Sequence, residues 1–290
     1  MKQSTALFGI AASAVVGFLV ALAGSDGSVD VGSLPLFGLC GLLAFGINWI
    51  VFVPSYLKQT ERFYDLTGSL TYLTLTGVAL AFSDLDARAA LVAALVVIWA
   101  VRLGSFLFKR ISSEGGDSRF TKLKTRPAHF LMMWSIQGLW VLFTLACALA
   151  AITGEDRSDL GIYAFVGTAI WVGGFVIEVV ADRQKSAFRA DPKNKGRYIT
   201  TGLWAWSRHP NYFGEIVLWA GIAVIALPIL AGWAWVTLIS PLFVYFLLTQ
   251  ISGLPIQERQ AKHRWGDDEG FQTYVQNTPA LVLRPPRNDR

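Results

Sequence analysis

The chain is 290 residues long, 53% hydrophobic and only 16% charged, with eleven Trp and a formal net charge of +5. A soluble domain would be about a quarter charged, so the composition argues against an ordinary water-soluble protein and for one that lives in a bilayer. The positive charge is no nucleic-acid footprint, because Lys and Arg fall in short loops between apolar runs. Cys40 and Cys147 lie inside such runs with no CxxC or Cys/His cluster, which excludes a disulfide framework and a zinc site.

Eight stretches are long and apolar enough for a spanning helix, which needs about 20 residues. They are 5–24, 34–54, 66–83, 87–108, 130–153, 159–181, 212–230 and 233–252. The first follows Met-Lys and ends in small residues, as a cleaved signal peptide does. A multi-span chain has little use for cleavage, so it is read as a retained helix. The last two are split only by "LAGWA" and read alternatively as one broken hairpin, which leaves seven or eight spans. Helices are the assignment throughout, since every amide in hydrocarbon must be paired internally. The expected fold is therefore an all-α polytopic bundle, a single integral membrane domain over 1–290.

With the N-terminus placed in the cytoplasm, 22 of the 25 Lys and Arg fall on the cytoplasmic side, and only Arg88 and Arg157 on the other. Arg102 lies inside a span, and seven acids, from Asp26 to Asp159, occupy the opposite loops. This asymmetry puts both termini in the cytoplasm. The tail from Pro255, "PIQERQAKHRWGDDEGFQTYVQNTPALVLRPP", is too polar to span and reads as a surface amphipathic segment. No internal repeat supports a two-halved transporter. Most of the Trp residues read as interfacial anchors.

Within this frame, residues 175–221 carry the chemistry. Glu178 and Asp182 are four apart on one face at the cytoplasmic end of the sixth span, with Lys185 and Arg189 continuing the stripe. "DPKNKG" breaks that helix, and Pro210 in "SRHPNYFGE" can open the next, with Asn211 and Glu215 on one of its faces. Arg and Lys suit phosphates. A helix N-terminus favours an anion. Carboxylates and an amide suit ribose hydroxyls or a carboxamide. Lys193, Lys195 and Arg197 read equally as a solvated positive-inside loop, and His209 equally as a helix cap. Glu178 and Glu215 do not fit that bland reading, because ionisable groups in apolar flanks are costly and usually functional. No GxGxxG follows a strand, so the usual dinucleotide fold is absent.

The string "SRHPNYFGE", preceded by "E…AD.QK..F" and "G.Y..TGLW" and followed by "QER…RWG…Y", resembles the C-terminal part of the steroid 5-alpha-reductase family. It is most similar to the bacterial branch known as domain of unknown function 1295, over about 117–285. "FYDLTGSLTYL" and "RLGSFLFKRI" extend the likeness more loosely upstream. The resemblance implies a membrane reductase that uses NADPH to reduce a conjugated carbon–carbon double bond in a lipidic substrate. It also implies a bacterial inner-membrane location, with substrate entering from the bilayer and the cofactor site on the cytoplasmic side.

The implied cofactor contacts are Glu178, Asp182, Arg189, Tyr198, Trp204, Arg208, His209, Asn211 and Glu215, with Glu258, Arg259, Lys262 and Tyr274 of the tail as a second set. In the steroid enzymes a Glu and a Tyr on earlier spans engage the substrate carbonyl. Here Asp65 stands near the Glu position and Trp99 where the Tyr would be, leaving Tyr64 or Tyr72 as phenol donors. Asp65 reads equally as a partner of Arg62. Arg102 is expected to pair with a carboxylate or a phosphate, Gln137 and Trp140 to line a cavity or pack the bundle, and the "EGG" loop with Asp117 and Arg119 to close over cofactor.

Two rivals stay open. Membrane methyltransferases of the isoprenylcysteine and phospholipid type share "RHP.Y.G" and a following Glu but bind S-adenosylmethionine. A non-enzymatic lipid-binding protein would leave Glu178 and Glu215 unexplained.

Overall fold

A helix that is apolar on every side has to be surrounded by others, and α5 (Pro127–Thr153) is that helix here. The computed structural model describes residues 2–114 and 120–286, so the 117 and 119 positions of the expected closing loop lie outside the described residues. Around α5 pack α1 (Gln3–Gly24), α2 (Leu36–Leu57), α3 (Tyr64–Phe82) and α4 (Ala87–Glu114). A two-stranded ribbon, β1 (Asp30–Val31) against β2 (Leu34–Pro35), turns the chain between α1 and α2. Gly138 lets α5 approach α2 closely: a Cβ there would sit 3.0 Å from the carbonyl of Ala44. These helices form one compact unit with residues 223–240; residues 166–222 and 241–290 form the second.

The second unit holds most of α6 (Ile162–Ala190) and α7 (Pro210–Ala226), together with α8 (Ile239–Phe246), a π-turn (Leu247–Ile251), α9 (Leu254–Trp265) and α10 (Glu269–Asn277). Seven helical segments among the described residues are long and apolar enough to cross a membrane, which makes the chain a polytopic helical membrane protein. The third expected span does form a helix, α3, but its hydroxyls leave it less apolar than the seven. Thr67, Thr71 and Thr76 donate to their own helix at Phe63, Thr67 and Tyr72, at 2.7, 2.7 and 2.8 Å. That satisfies the polar groups of a helix turned towards its neighbours.

At "LAGWA" the helix yields to a short 3-10 turn (Leu227–Ile229) and a second one (Gly232–Leu238). Gly232, with φ +49, makes the break, and the Asp26 carboxylate accepts the amide of Trp233 at 2.7 Å. The tail is polar and helical as α9 and α10, as its composition implied.

Trp99, Trp134, Trp171, Trp204 and Trp219 are all buried. Gln137 belongs to a packing network: its amide donates to Asn48 Oδ1 and to the carbonyl of Tyr64, both at 2.9 Å. Arg102 lies over the ring of Phe106, 5.4 Å from its centroid.

Candidate cofactor site

Glycines set how closely α6 and α7 approach. A Cβ on Gly174 would lie 2.5 Å from the amide nitrogen of Leu218, and one on Gly214 would lie 2.7 Å from that of Glu178. This contact buries Glu178 and Asp182, which are 2% and 6% exposed. The helix ends at Ala190, where the Asp191 side chain accepts the amide of Lys193 at 2.9 Å and starts a 3-10 turn. Gly196 and Gly202 take positive φ and allow the following loop to fold back. Gln184 of α6 accepts the amide of Leu203 at 2.9 Å, and Trp204 donates its indole N–H to the carbonyl of Ala181 at 3.0 Å. Lys185 lies over the Trp204 ring, 4.6 Å from its centroid.

The loop then delivers Arg208 and His209 to the start of α7. Arg208 Nη1 donates to Glu258 Oε2 at 3.0 Å, and His209 Nε2 meets Glu258 Oε1 at 2.9 Å. In the first turn of α7, Asn211 donates its amide N–H to Asp182 Oδ1 at 3.2 Å. Its own Oδ1 is buried with no hydrogen-bond partner, as is Arg208 Nε. Burial pushes the imidazole of His209 below its usual 6.5, and the charges of Lys185 and Arg208 act in the same direction. The hydrogen bond and charge of Glu258 oppose this without reversing it, so His209 is neutral at pH 7 and donates its Nε2–H as a hydrogen bond to the ionised carboxylate. Its ring stacks on Tyr212, centroids 5.4 Å apart.

The tail walls this region. Tyr274 donates to the carbonyl of Trp204 at 2.7 Å, the Arg208 amide donates to the carbonyl of Pro279 at 2.9 Å, and Ser207 Oγ donates to that of Leu281 at 2.8 Å. Tyr198 donates to Asp268 at 3.1 Å and packs among Trp265, Phe271 and Tyr274.

The structure thus joins Asp182 to Asn211, and Arg208 and His209 to Glu258, while Trp204 and Tyr198 clamp the loop that carries Arg208 and His209. Glu178 is buried on α6, Glu215 half-buried on α7, and Arg189, Arg259 and Lys262 are exposed. Lys185 was visible as part of the helical stripe but not as a cation acting on His209. Ser207 opens the "SRHPNYFGE" string but was assigned no role there, yet it is fully buried and its Oγ accepts the His209 amide at 3.1 Å.

In the first unit, Asp65 lies half-buried in the first turn of α3. Tyr64 donates to the carbonyl of Met133 at 2.9 Å and packs against Phe120 and Trp134. Tyr72 and Trp99 meet edge to face, both buried, with centroids 5.0 Å apart.

A helical membrane protein whose paired spans converge on partly buried Arg, His, Asn and carboxylate side chains is the class that fold and site define. The model of the family described as "Protein of unknown function (DUF1295)" matches residues 51–278, and the chain belongs to that family. An uncharacterized protein of Schizosaccharomyces pombe is 23% identical over 217 residues, 63% of this chain and 62% of that one. The 3-oxo-5-alpha-steroid 4-dehydrogenase 1 of Rattus norvegicus is 27% identical over 157 residues, 50% of this chain and 55% of that one. The probable O-methyltransferase ustE of Ustilaginoidea virens is 33% identical over 85 residues, 29% of this chain and 30% of that one. The chain spans less than two thirds of the length of each. No solved structure matches it significantly.

Proposed function

We propose that the protein is a membrane-embedded reductase that uses NADPH to reduce a conjugated carbon–carbon double bond in a lipidic substrate. The likeness to the rat steroid dehydrogenase supports the reaction class. The observation that carries the cofactor is the half-used amide of Asn211. Its N–H is spent on Asp182 while its oxygen stays buried and unpartnered, beside an Arg208 whose Nε is in the same condition. Leaving such atoms unmade is expensive, about 1–3 kcal/mol each, and a ligand with an amide or hydroxyl donor and an anionic group removes both costs. A nicotinamide dinucleotide phosphate has that chemistry.

In this reading the phosphates rest on Arg208 and Lys185 with the exposed Arg189, Arg259 and Lys262. Asn211, Asp182, Glu178 and Glu215 receive the polar ribosyl and carboxamide groups. NADPH supplies the hydride. Asp65, with Tyr72 or Tyr64, handles the proton of a substrate that enters from the bilayer and costs little to desolvate. The basic-residue asymmetry supports a cytoplasmic position for these cofactor residues.

The similarity to a probable O-methyltransferase supports a second reading, in which the same amide and carboxylates take the amino-acid group of S-adenosylmethionine. Thermal unfolding of the purified protein in detergent separates the two. Stabilisation by NADPH and not by S-adenosylmethionine supports the reductase. The converse result overturns it.

A further inference from the structure

We propose that Glu258 is a positioning residue that sets the tautomer of His209 and the orientation of Arg208, and through them the site's grip on a phosphate-bearing ligand. The reading of NADPH supplies only the ligand in this proposal; the geometry stands without it. Glu258 sends one oxygen to each neighbour, 3.0 Å to Arg208 Nη1 and 2.9 Å to His209 Nε2. It comes from α9, whereas Arg208 and His209 end the loop before α7, so the carboxylate ties the tail to the mouth of the site.

Each bond leaves something in reserve. Because Nε2 of the neutral imidazole is committed as a donor, Nδ1 is left as an acceptor. Because Glu258 engages Arg208 through one terminal nitrogen, the guanidinium is held in place with its Nε–H unspent. A long cationic side chain fixed before a ligand arrives loses less rotamer freedom on binding, which is how a residue that touches no ligand raises affinity.

The backbone supports the same division of labour. The Arg208 amide is held by Pro279 and the His209 amide by Ser207 Oγ, so the main chain of this dipeptide is fixed independently of Glu258. Removing the carboxylate therefore frees two side chains rather than unfolding the loop.

The test uses Glu258→Ala, with Glu258→Gln as the milder variant. Glutamine offers its oxygen to Arg208, and its NH2 can meet His209 Nε2 only if the imidazole switches to the Nδ1-protonated tautomer. Nitrogen-15 spectra of histidine-labelled protein, which holds three His, report the tautomer without any ligand. The wild type is expected to show His209 as the Nε2-protonated tautomer and Glu258→Ala to show a mixture. NADPH affinity is expected to fall about tenfold in Glu258→Ala. In an Arg208→Ala/His209→Asn background, where both routes are removed, the same substitution should change it less than about twofold.

An unchanged His209 tautomer in folded Glu258→Ala protein overturns the proposal. So does a second, full loss of affinity in the Arg208→Ala/His209→Asn background, since that result means direct contact with ligand. If Glu258→Ala gives no cooperative melt, Glu258→Gln is read in the same cycle. If wild-type protein fails to bind NADPH, the cofactor assignment falls, and the tautomer measurement still decides the role of Glu258.

Discussion

His209 and Glu258 share one proton across 2.9 Å, and burial keeps that proton the only one the imidazole holds at neutral pH. A base whose pKa is lower in the folded chain than in the unfolded one binds protons less readily when folded. Its contribution to stability is complete above the unfolded value of 6.5 and is lost as the pH falls below it. Thermal midpoints in detergent are therefore expected to be flat above about pH 7 and to drop as the pH falls below 6.5. The drop should be shallower in His209→Asn. An identical slope in that variant assigns the acid sensitivity to another group.

The Gly174–Gly214 contact predicts a sharp difference between adjacent positions. Gly214→Ala puts a methyl 2.6 Å from the carbonyl oxygen of Gly174, with only backbone to give way. The strain of forcing such helices apart is about 1–3 kcal/mol, enough to lower the midpoint by several degrees. A Cβ at Gly173 meets nothing within 4 Å, so Gly173→Ala should leave the melt unchanged or slightly higher. Equal effects at the two positions would remove the close helix contact as the reason Glu178 and Asp182 are buried.

How much of this was readable beforehand follows from the range of each signal. Apolar length and Pro/Gly punctuation are local, so the helix end at Ala190 and the helix start at Pro210 could be read directly, as could the helical fold and the family. The "SRHPNYFGE" cluster was equally plain, because charges flanking an apolar run stand out. The pairing of Glu258 with Arg208 and His209 spans 50 and 49 residues, and no local pattern announces it. The glycines of α6 and α7 were invisible for a different reason: inside an apolar run a Gly reads as one more tolerated residue, and only a neighbouring backbone gives it meaning. Trp99 shows the same limit. Its mismatch with the expected Tyr was legible, but its edge-to-face packing with Tyr72 was not.

Asn211 separates ligand binding from stability. Its Oδ1 has no partner to lose, so Asn211→Ala should alter the ligand-free melt little, at the cost of one N–H bond to Asp182. The same change is expected to abolish most of the NADPH-induced stabilisation. Glu215→Ala should do likewise, whereas Lys193→Ala, an exposed loop residue, should not. Full stabilisation retained in both Asn211→Ala and Glu215→Ala would remove these two residues from the site.

Arg88 is the strongest purely structural prediction. It is 1% exposed, and its guanidinium donates to the carbonyls of Ile225 at 2.7 Å and Asp159 at 2.8 Å, and to Ser158 Oγ at 3.1 Å. Ile225 lies in the last turn of α7, where helix carbonyls have no partner of their own and the helix dipole favours a cation. Arg88→Met fills similar volume but leaves buried carbonyls unpaired, which costs about 3 kcal/mol. Arg88→Lys keeps the charge with a single donor head and should recover part of that loss. The expected order of thermal midpoints is wild type, then Lys, then Met. A Met variant as stable as wild type would show that those carbonyls find water or another donor, and that Arg88 does not fasten the end of the helix.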